Sequence, residues 1–434
     1  MISDLRALWP LTGFRRLFAV RLVSQTSDGM FQVGLATLFF FSPENASTAT
    51  GVAAAFAVLL LPFTIVGPWA GVLLDRWRRR NVLLYGNLVR VALTTTIAVV
   101  MLTQGVGPTV YVLALATLSV NRFLLAALSA SLPKVVDGPL LLTANALTPT
   151  LGAAAAGVGG ALGFVLGLVL PTGRLRDAIS LLVAAAVMAC ASALATRLGA
   201  DRLGPDERAD ASRLRAALGT LARGLVDGAR YLVARRTPAY ALGIMALHRF
   251  CYGAVFIASI LISRNLLADP ADAGAGLATF GTVLAASAAG FALAVVLTPV
   301  VVPRTGPHVW IVGCMLLAVV SQLVLVVTVT HVAVLGTAVS LGLAAQGAKI
   351  AVDTVVQRDT VDAYRGRAFA LYDVMYNAAF VGAAALAAVA LPDTGWSPVV
   401  FGALAVVYLA GAVVFALGPR TPADVTAPTT GVRA

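Results

Sequence analysis

Residues 309–329 contain no Asp, Glu, Lys or Arg, and eleven other stretches of the chain are nearly as free of charge over comparable lengths. An α-helix needs about 20 apolar residues to cross the hydrocarbon core of a bilayer. Only helices and closed barrels satisfy their backbone there, and a barrel would alternate apolar and polar residues over roughly ten-residue strands. These runs are continuously apolar, so they predict helices over 18–41, 49–73, 82–103, 109–132, 144–170, 177–196, 239–263, 274–301, 309–329, 332–356, 367–391 and 397–417. Charged residues make up 12% of the 434 positions, against roughly 25% in soluble domains. The chain is expected to be an all-α membrane protein of twelve spans.

The positions of the cations set the expected direction. With the N-terminus inside and the spans alternating, inner segments hold 23 of the 31 Lys and Arg, outer loops hold three (Arg174, Arg176 and Arg264), and five lie within spans. Positive loops stay on the cytoplasmic side. Both termini are therefore expected in the cytoplasm, with the protein in the inner or plasma membrane. The net charge of +12 is accounted for by this asymmetry, and no nucleic acid is expected as a partner. The first span is too long, and lacks the small-residue pattern, for a cleaved signal peptide.

Short connections join all spans except 197–238, which divides the chain into six and six. The organisation read from the sequence is an N-terminal lead (1–17), a bundle (18–196), a linker (197–238), a second bundle (239–417) and a disordered tail (418–434). Leu214, Leu218, Leu221, Leu225 and Leu232 fall on one face of the linker, with Arg213, Arg223, Arg230 and Arg235 among its polar positions. This pattern fits a helix lying on anionic lipid, and a solvated linker helix fits it too. Cys190, Cys251 and Cys314 fall within spans and are expected to be buried in apolar packing.

After the second span comes Gly71-Val72-Leu73-Leu74-Asp75-Arg76-Trp77-Arg78-Arg79-Arg80. This resembles the cytoplasmic loop signature of the major facilitator superfamily, with Arg78 where many members have Gly. Further stretches resemble its drug:proton antiporter branch, which contains macrolide-efflux and enterobactin-exporter proteins. They are Gly13-Phe14-Arg15-Arg16-Leu17, Ser24-Gln25-Thr26-Ser27-Asp28, Arg90, Leu132-Pro133-Lys134-Val135-Val136, Thr143-Ala144-Asn145-Ala146-Leu147 and Arg365-Gly366-Arg367. The resemblance implies two six-helix bundles. It also implies a cytoplasmic gate in which Asp75, with Gly71, Arg76, Arg79 and Arg80, meets the start of span 11 at Arg365, Gly366 and Arg367. Helix N-termini favour a carboxylate. The second half has Pro303-Arg304-Thr305-Gly306 at the matching loop, without the acid. Span 5 carries Gly152, Gly157, Gly159, Gly160, Gly163 and Gly167, but Val158 stands where the superfamily's antiporter motif has Pro.

Ionisable groups at bilayer depth are costly and mark function. In span 1, Arg21, Gln25, Asp28 and Gln32 share one helical face. Asp28 and, on span 4, Arg122 both lie about ten residues, roughly 15 Å, from the inner surface. The two could therefore approach each other. Three roles fit Asp28: proton carrier, member of a static ion pair with Arg122, or contact for a cationic substrate. Arg249, Tyr252, Phe256 and Ser259 share a face of span 7, beside His248. Asp373, Tyr376 and Phe380 share one of span 11. Such mixed surfaces suit amphipathic organic compounds, and packing between helices explains them equally. Lys349 and Asp353, four residues apart, are expected to pair locally.

No His-rich metal site, phosphate-binding Gly loop, Ser/His/Asp set or ATP-binding module is present in the sequence. Neither an enzyme nor a cofactor is expected. The leading expectation is a monomeric secondary transporter exporting a small amphipathic compound against proton entry, by alternating access. An exporter or importer of one metabolite, such as a siderophore, is the alternative within transport. A membrane sensor or membrane enzyme is the alternative outside it.

Overall fold

The computed structural model describes residues 8–41, 48–52, 55, 69, 74, 77–136, 140–171, 173–199, 203–204 and 211–420, apart from some side chains inside helices. Twelve α-helices are described: α1 (Thr12–Phe40), α2 (Arg79–Gln104), α3 (Pro108–Ser131), α4 (Leu140–Val169), α5 (Arg174–Ala195), α6 (Ala211–Arg235), α7 (Thr237–Asn265), α8 (Ala273–Thr305), α9 (Pro307–Val327), α10 (His331–Asp359), α11 (Asp362–Ala390) and α12 (Pro398–Leu417). Ten of them, all but α1 and α6, are long and apolar enough to cross a membrane. The sequence-predicted second span lies almost entirely outside the described residues, as does the tail from 421. Helix α1 is long enough at 29 residues, but Ser24, Gln25, Thr26, Ser27, Asp28 and Gln32 make it the polar member of the set.

Helix α1 begins inside the segment read from the sequence as a lead. Phe14 and Leu17 are buried there in an apolar cluster with Leu8, Val20, Leu83, Leu124 and Leu128, which holds the first turns against α2 and α3. Proline at the first or second position opens α3, α7, α9 and α12, where its missing N–H costs nothing. Thr330 and Ser397 cap α10 and α12, accepting from Ala333 N at 3.3 Å and Val400 N at 3.4 Å. Valine and leucine populate the outer faces: Val169, Val327, Val389 and Leu417 are each more than 70% exposed. A soluble protein seldom displays so much contiguous apolar surface. Cys251 and Cys314 are buried, but Cys190 is exposed on α5 and therefore turned to the apolar surroundings rather than packed inside.

The chain divides into two compact units, Met1–Gly219 with Ala268–Ala278, and Thr220–Leu267 with Thr279–Ala434. In the first, α1 packs on α4 and α5, while α2 packs on α3 and α5. In the second, α7 packs on α10, α11 and α12, while α9 packs on α10 and α12. In span order the pairings 1–5, 3–4 and 3–6 recur as 7–11, 9–10 and 9–12, which is an internal repeat.

The α1–α4 contact is closest. A Cβ on Gly29 would lie 1.9 Å from the Ala156 carbonyl oxygen, and one on Gly159 would lie 1.9 Å from that of Thr26. Between apolar helices, close packing of this kind replaces the hydrophobic driving force that lipid removes. The span-5 glycines noted in the sequence thus act here as a seat for span 1. The junction from α6 to α7 is a single residue, Arg236, at φ 62 and ψ −61. That is near the strained γ-turn conformation.

Candidate functional site

In the first unit the polar groups converge on Asp28. This carboxylate is 5% exposed, and its Oδ1 pairs with Nη2 of Arg90 on α2, itself 1% exposed. Nη1 of Arg90 is directed at Ser24 Oγ (3.5 Å) and Asn87 Oδ1 (3.4 Å). Ser24 Oγ also donates to Asn87 Oδ1 at 3.4 Å, and Asn87 Nδ2 donates to the Leu83 carbonyl at 2.8 Å. Asn121 and Arg122 of α3 lie within electrostatic reach of the same carboxylate. The group is a buried ion pair inside a shell of amide and hydroxyl groups.

Asp28 forms its ion pair with Arg90, which the depth argument did not single out, while Arg122 also acts on the carboxylate electrostatically. Depth along a span fixes a level, and Arg90 and Arg122 share that level; the azimuth of α2 decides between them. Asn87, Arg90 and Asn121 were not among the sequence-predicted site residues. Their signal was present in the spacing: Ser24 stands at i−4 of Asp28, and Asn87 at i−3 of Arg90. The predicted polar face of span 1 is divided. Gln25 accepts from Arg21 Nε at 3.1 Å beside Gly152 of α4, where a Cβ would come within 1.7 Å of Gln25 Oε1. Gln32 is exposed.

At the Arg-rich end of this unit, Arg79 Nη1 donates to the Ala130 carbonyl at 2.8 Å and the Leu203 carbonyl at 3.2 Å. Arg80 Nη2 donates to the Thr196 carbonyl at 3.4 Å, and Arg16 Nη1 donates to that of Arg197 at 2.9 Å. The Ala130 and Thr196 carbonyls lie at the ends of α3 and α5, where helices run out of N–H partners and carry partial negative charge, and those of Arg197 and Leu203 lie in the turns that follow α5. Two arginines of the loop signature therefore staple helix ends within the unit. Gly71, Asp75 and Arg76 lie outside the described residues. At the opposite end, Arg176 Nε donates to Asp177 Oδ1 at 2.8 Å and its Nη2 to the Phe41 carbonyl at 3.1 Å, with Arg176 and Asp177 fully buried. This balances the arginine that stood against the charge asymmetry of the sequence.

In the second unit Arg249 of α7 lies among aromatic rings, 4.3 Å from the centroid of Tyr376, 4.2 Å from Phe380 and 5.8 Å from Tyr252. The two predicted faces of α7 and α11 thus meet, while Asp373 is exposed. Phe256 stacks edge-on to Phe280 and Phe380, with centroids 5.8 and 6.1 Å away. Beside them Tyr252, Phe256, Ser259, Ser287, Thr337 and Leu341 line a cavity of about 40 Å³. Since one water needs roughly 10–15 Å³, it holds only a few. The Tyr252 hydroxyl lies 3.2 Å from Ser287 Oγ across its wall.

Lys349 Nζ donates to Asp353 Oδ2 at 2.7 Å, the local pair expected from the spacing. Arg367, the described member of the span-11 gate motif, is exposed, with its guanidinium 5.0 Å from the Tyr364 ring and its side chain against Gly228 of α6. Tyr364 stacks on Tyr231 of α6 at 4.1 Å, whose hydroxyl accepts from Val361 N at 3.3 Å. The second half of the amphipathic linker helix is thereby fastened to the start of α11. Arg365 and Gly366 lie in α11, with their surroundings outside the described residues.

Apolar helices in two similarly paired units, each holding costly polar groups at mid-span, define a polytopic membrane protein. No protein-family model matches the chain. Over 417 residues it is 33% identical to proteins of Mycobacterium tuberculosis and Mycobacterium bovis, each described as an uncharacterized MFS-type transporter, spanning 96% of this chain and 93% of theirs. The chain belongs to the major facilitator superfamily and is a transporter of MFS type. Solved structures agree on the fold. The POT family transporter PepTSo aligns with a TM-score of 0.67 at 13% identity, over 93% of this chain and 97% of that one. The nucleoside transporter NupG aligns at 0.63 and 13%, over 92% and 97%.

Proposed function

We propose that this transporter exports a small amphipathic compound in exchange for protons, by alternating access, and that Asp28 and Arg90 form its coupling site. One observation carries the reading: a carboxylate and a guanidinium, both buried at mid-span, are in contact inside a shell of Ser24, Asn87 and Asn121. A carboxylate held by an arginine exchanges that arginine for a proton when the proton arrives. Ser24 and Asn87 already receive Arg90, so the cation keeps partners while Asp28 is neutral. The export direction is supported by resemblance to the drug:proton antiporter branch. The distribution of basic residues supports a plasma-membrane protein with both termini inside; the transporter is read as working as a monomer.

The test is transport in proteoliposomes under an imposed pH gradient, with a panel of cationic, neutral and anionic amphipathic dyes. The parent is expected to move at least one dye with the gradient. Asp28→Asn is expected to lose gradient dependence while still exchanging dye for dye. Coupling at Asp28 is abandoned if no dye responds to the gradient or if Asp28→Asn responds as the parent does.

A further inference from the structure

Arg249 differs from Arg90, the mid-span arginine paired with Asp28, in one respect. Arg90 meets a carboxylate; Arg249 meets aromatic rings and the Tyr376 hydroxyl. Its surroundings are Tyr252, Tyr376 and Phe380, with Tyr372 further out, and among the described residues no acidic side chain pairs with it. Asp353 is engaged by Lys349. Arg249 stands twelve residues into the 29-residue α7, roughly 18 Å from its start and near the middle of the bilayer. No lipid headgroup is available at that depth.

The magnitudes do not balance without a further partner. A cation over an aromatic face gains a modest attraction, stronger when desolvated. Removing a guanidinium from water costs more than such contacts return, even after relaxation. Two close rings and one distant one fall short of that cost, and an anion would close the gap. Arg249 is not fully enclosed, and its Nε is buried without a hydrogen-bond partner, so the guanidinium keeps a donor for a ligand. Its planar fork of donors fits carboxylate or phosphate oxygens in a bidentate manner.

We infer that the transported compound carries a carboxylate or phosphate group which binds Arg249, while its apolar part lies against the rings that follow along α7 and α11. Tyr252 and Phe256 continue from Arg249 towards the small cavity, and Phe280 and Phe380 wall that path. The ligand is thus an aromatic or otherwise apolar anion, which distinguishes it from inorganic phosphate. The inference rests on the transporter reading above and narrows its substrate class.

Equilibrium dialysis of the purified full chain in detergent tests it with three probes of similar size: 1-naphthylacetate, 1-naphthyl phosphate and the uncharged 1-naphthylacetamide. The parent is expected to bind at least one of the anions tenfold or more tighter than the amide. Arg249→Gln should erase the difference, and Arg249→Lys should keep part of it. A parent that binds the amide as well as both anions, or binds none of the three, overturns the inference, and that comparison needs no variant to fold. A preference that survives in monodisperse Arg249→Gln overturns it equally. Binding in detergent needs no gradient. Anion-selective binding without gradient-driven transport would therefore sink the coupling reading alone, while gradient-driven transport of the amide and acetate at equal rates would sink this inference alone.

Discussion

A double-mutant cycle on Asp28 and Arg90 measures how strongly the two are coupled. Opposite unit charges about 4 Å apart attract by about 4 kcal/mol at an effective dielectric of about 20. Breaking a buried pair from one side leaves an uncompensated charge and typically costs about 3–5 kcal/mol. The two single variants should not cost the same. Arg90→Gln strands Asp28, a 5%-exposed carboxylate, with Asn121 and the more distant Arg122. Asp28→Asn leaves Arg90 on Ser24 and Asn87. Arg90→Gln is therefore expected near 4 kcal/mol and Asp28→Asn nearer 2, by the same buried-pair scale. With both replaced, neither charge is stranded, and the double variant should cost less than Arg90→Gln alone. The coupling then comes out at roughly 3–4 kcal/mol, where distant sites would add with little interaction. Reversible unfolding of the purified protein in detergent with increasing SDS gives the four free energies. A coupling below about 1 kcal/mol would refute the claim that this pair holds the centre of the unit together.

Three further outcomes follow from the geometry. Gly159→Val should disrupt α1–α4 packing, because its first side-chain carbon would lie 1.9 Å from the Thr26 carbonyl oxygen; a drop of several degrees in melting temperature is expected, and an unchanged melt would mean the helices are not seated on one another. Arg236→Gly should stabilise the chain by about 1 kcal/mol by releasing a non-glycine residue from positive φ, read as a higher SDS midpoint; a lower midpoint would show that the arginine side chain outweighs the strain. Asp75→Asn, a change in the loop signature, is expected to raise cysteine-labelling access on the Arg-rich side, and unchanged labelling would count against a gate there.

The spans were legible because lipid imposes one demand on every residue it touches: backbone satisfied internally and side chains apolar over a fixed length. Helix α1 shows what happens where that demand lapses. Its polar run falls below a membrane-crossing hydropathy, yet the helix forms, because Ser24, Ser27 and Asp28 turn inward to α2 and α3 and Gly29 to α4. Periodicity also placed Arg249, Tyr252 and Phe256 together and brought Tyr376 and Phe380 to meet them. It failed where a choice depended on rotation between helices. The depth argument brought only Arg122 towards Asp28, whose ion pair is with Arg90, and periodicity put Asp373 on the face of Tyr376 although Asp373 ends exposed. The staples of Arg79 and Arg80 to helix-end carbonyls were hidden for another reason, since backbone acceptors leave no mark in side-chain identity.

The repeated helix pairing of the two units makes their difference in charge informative. The first helix of each unit carries a costly group at mid-span, Asp28 on α1 and Arg249 on α7. In the first unit that group is neutralised by its own neighbour, Arg90. In the second it is ringed by aromatic side chains that only partly offset its burial. A neutralised pair responds to something that removes one of its charges, as a proton does. A guanidinium without a carboxylate responds to something that brings one. If both proposals hold, each repeat has kept a charged position on its first helix for a different task, proton exchange in one and anion capture in the other. Exchanging those tasks is then a stringent test. Placing an acid beside Arg249 through Phe380→Glu should abolish anion binding while leaving the Asp28–Arg90 coupling energy unchanged, since the added charge belongs to the other unit.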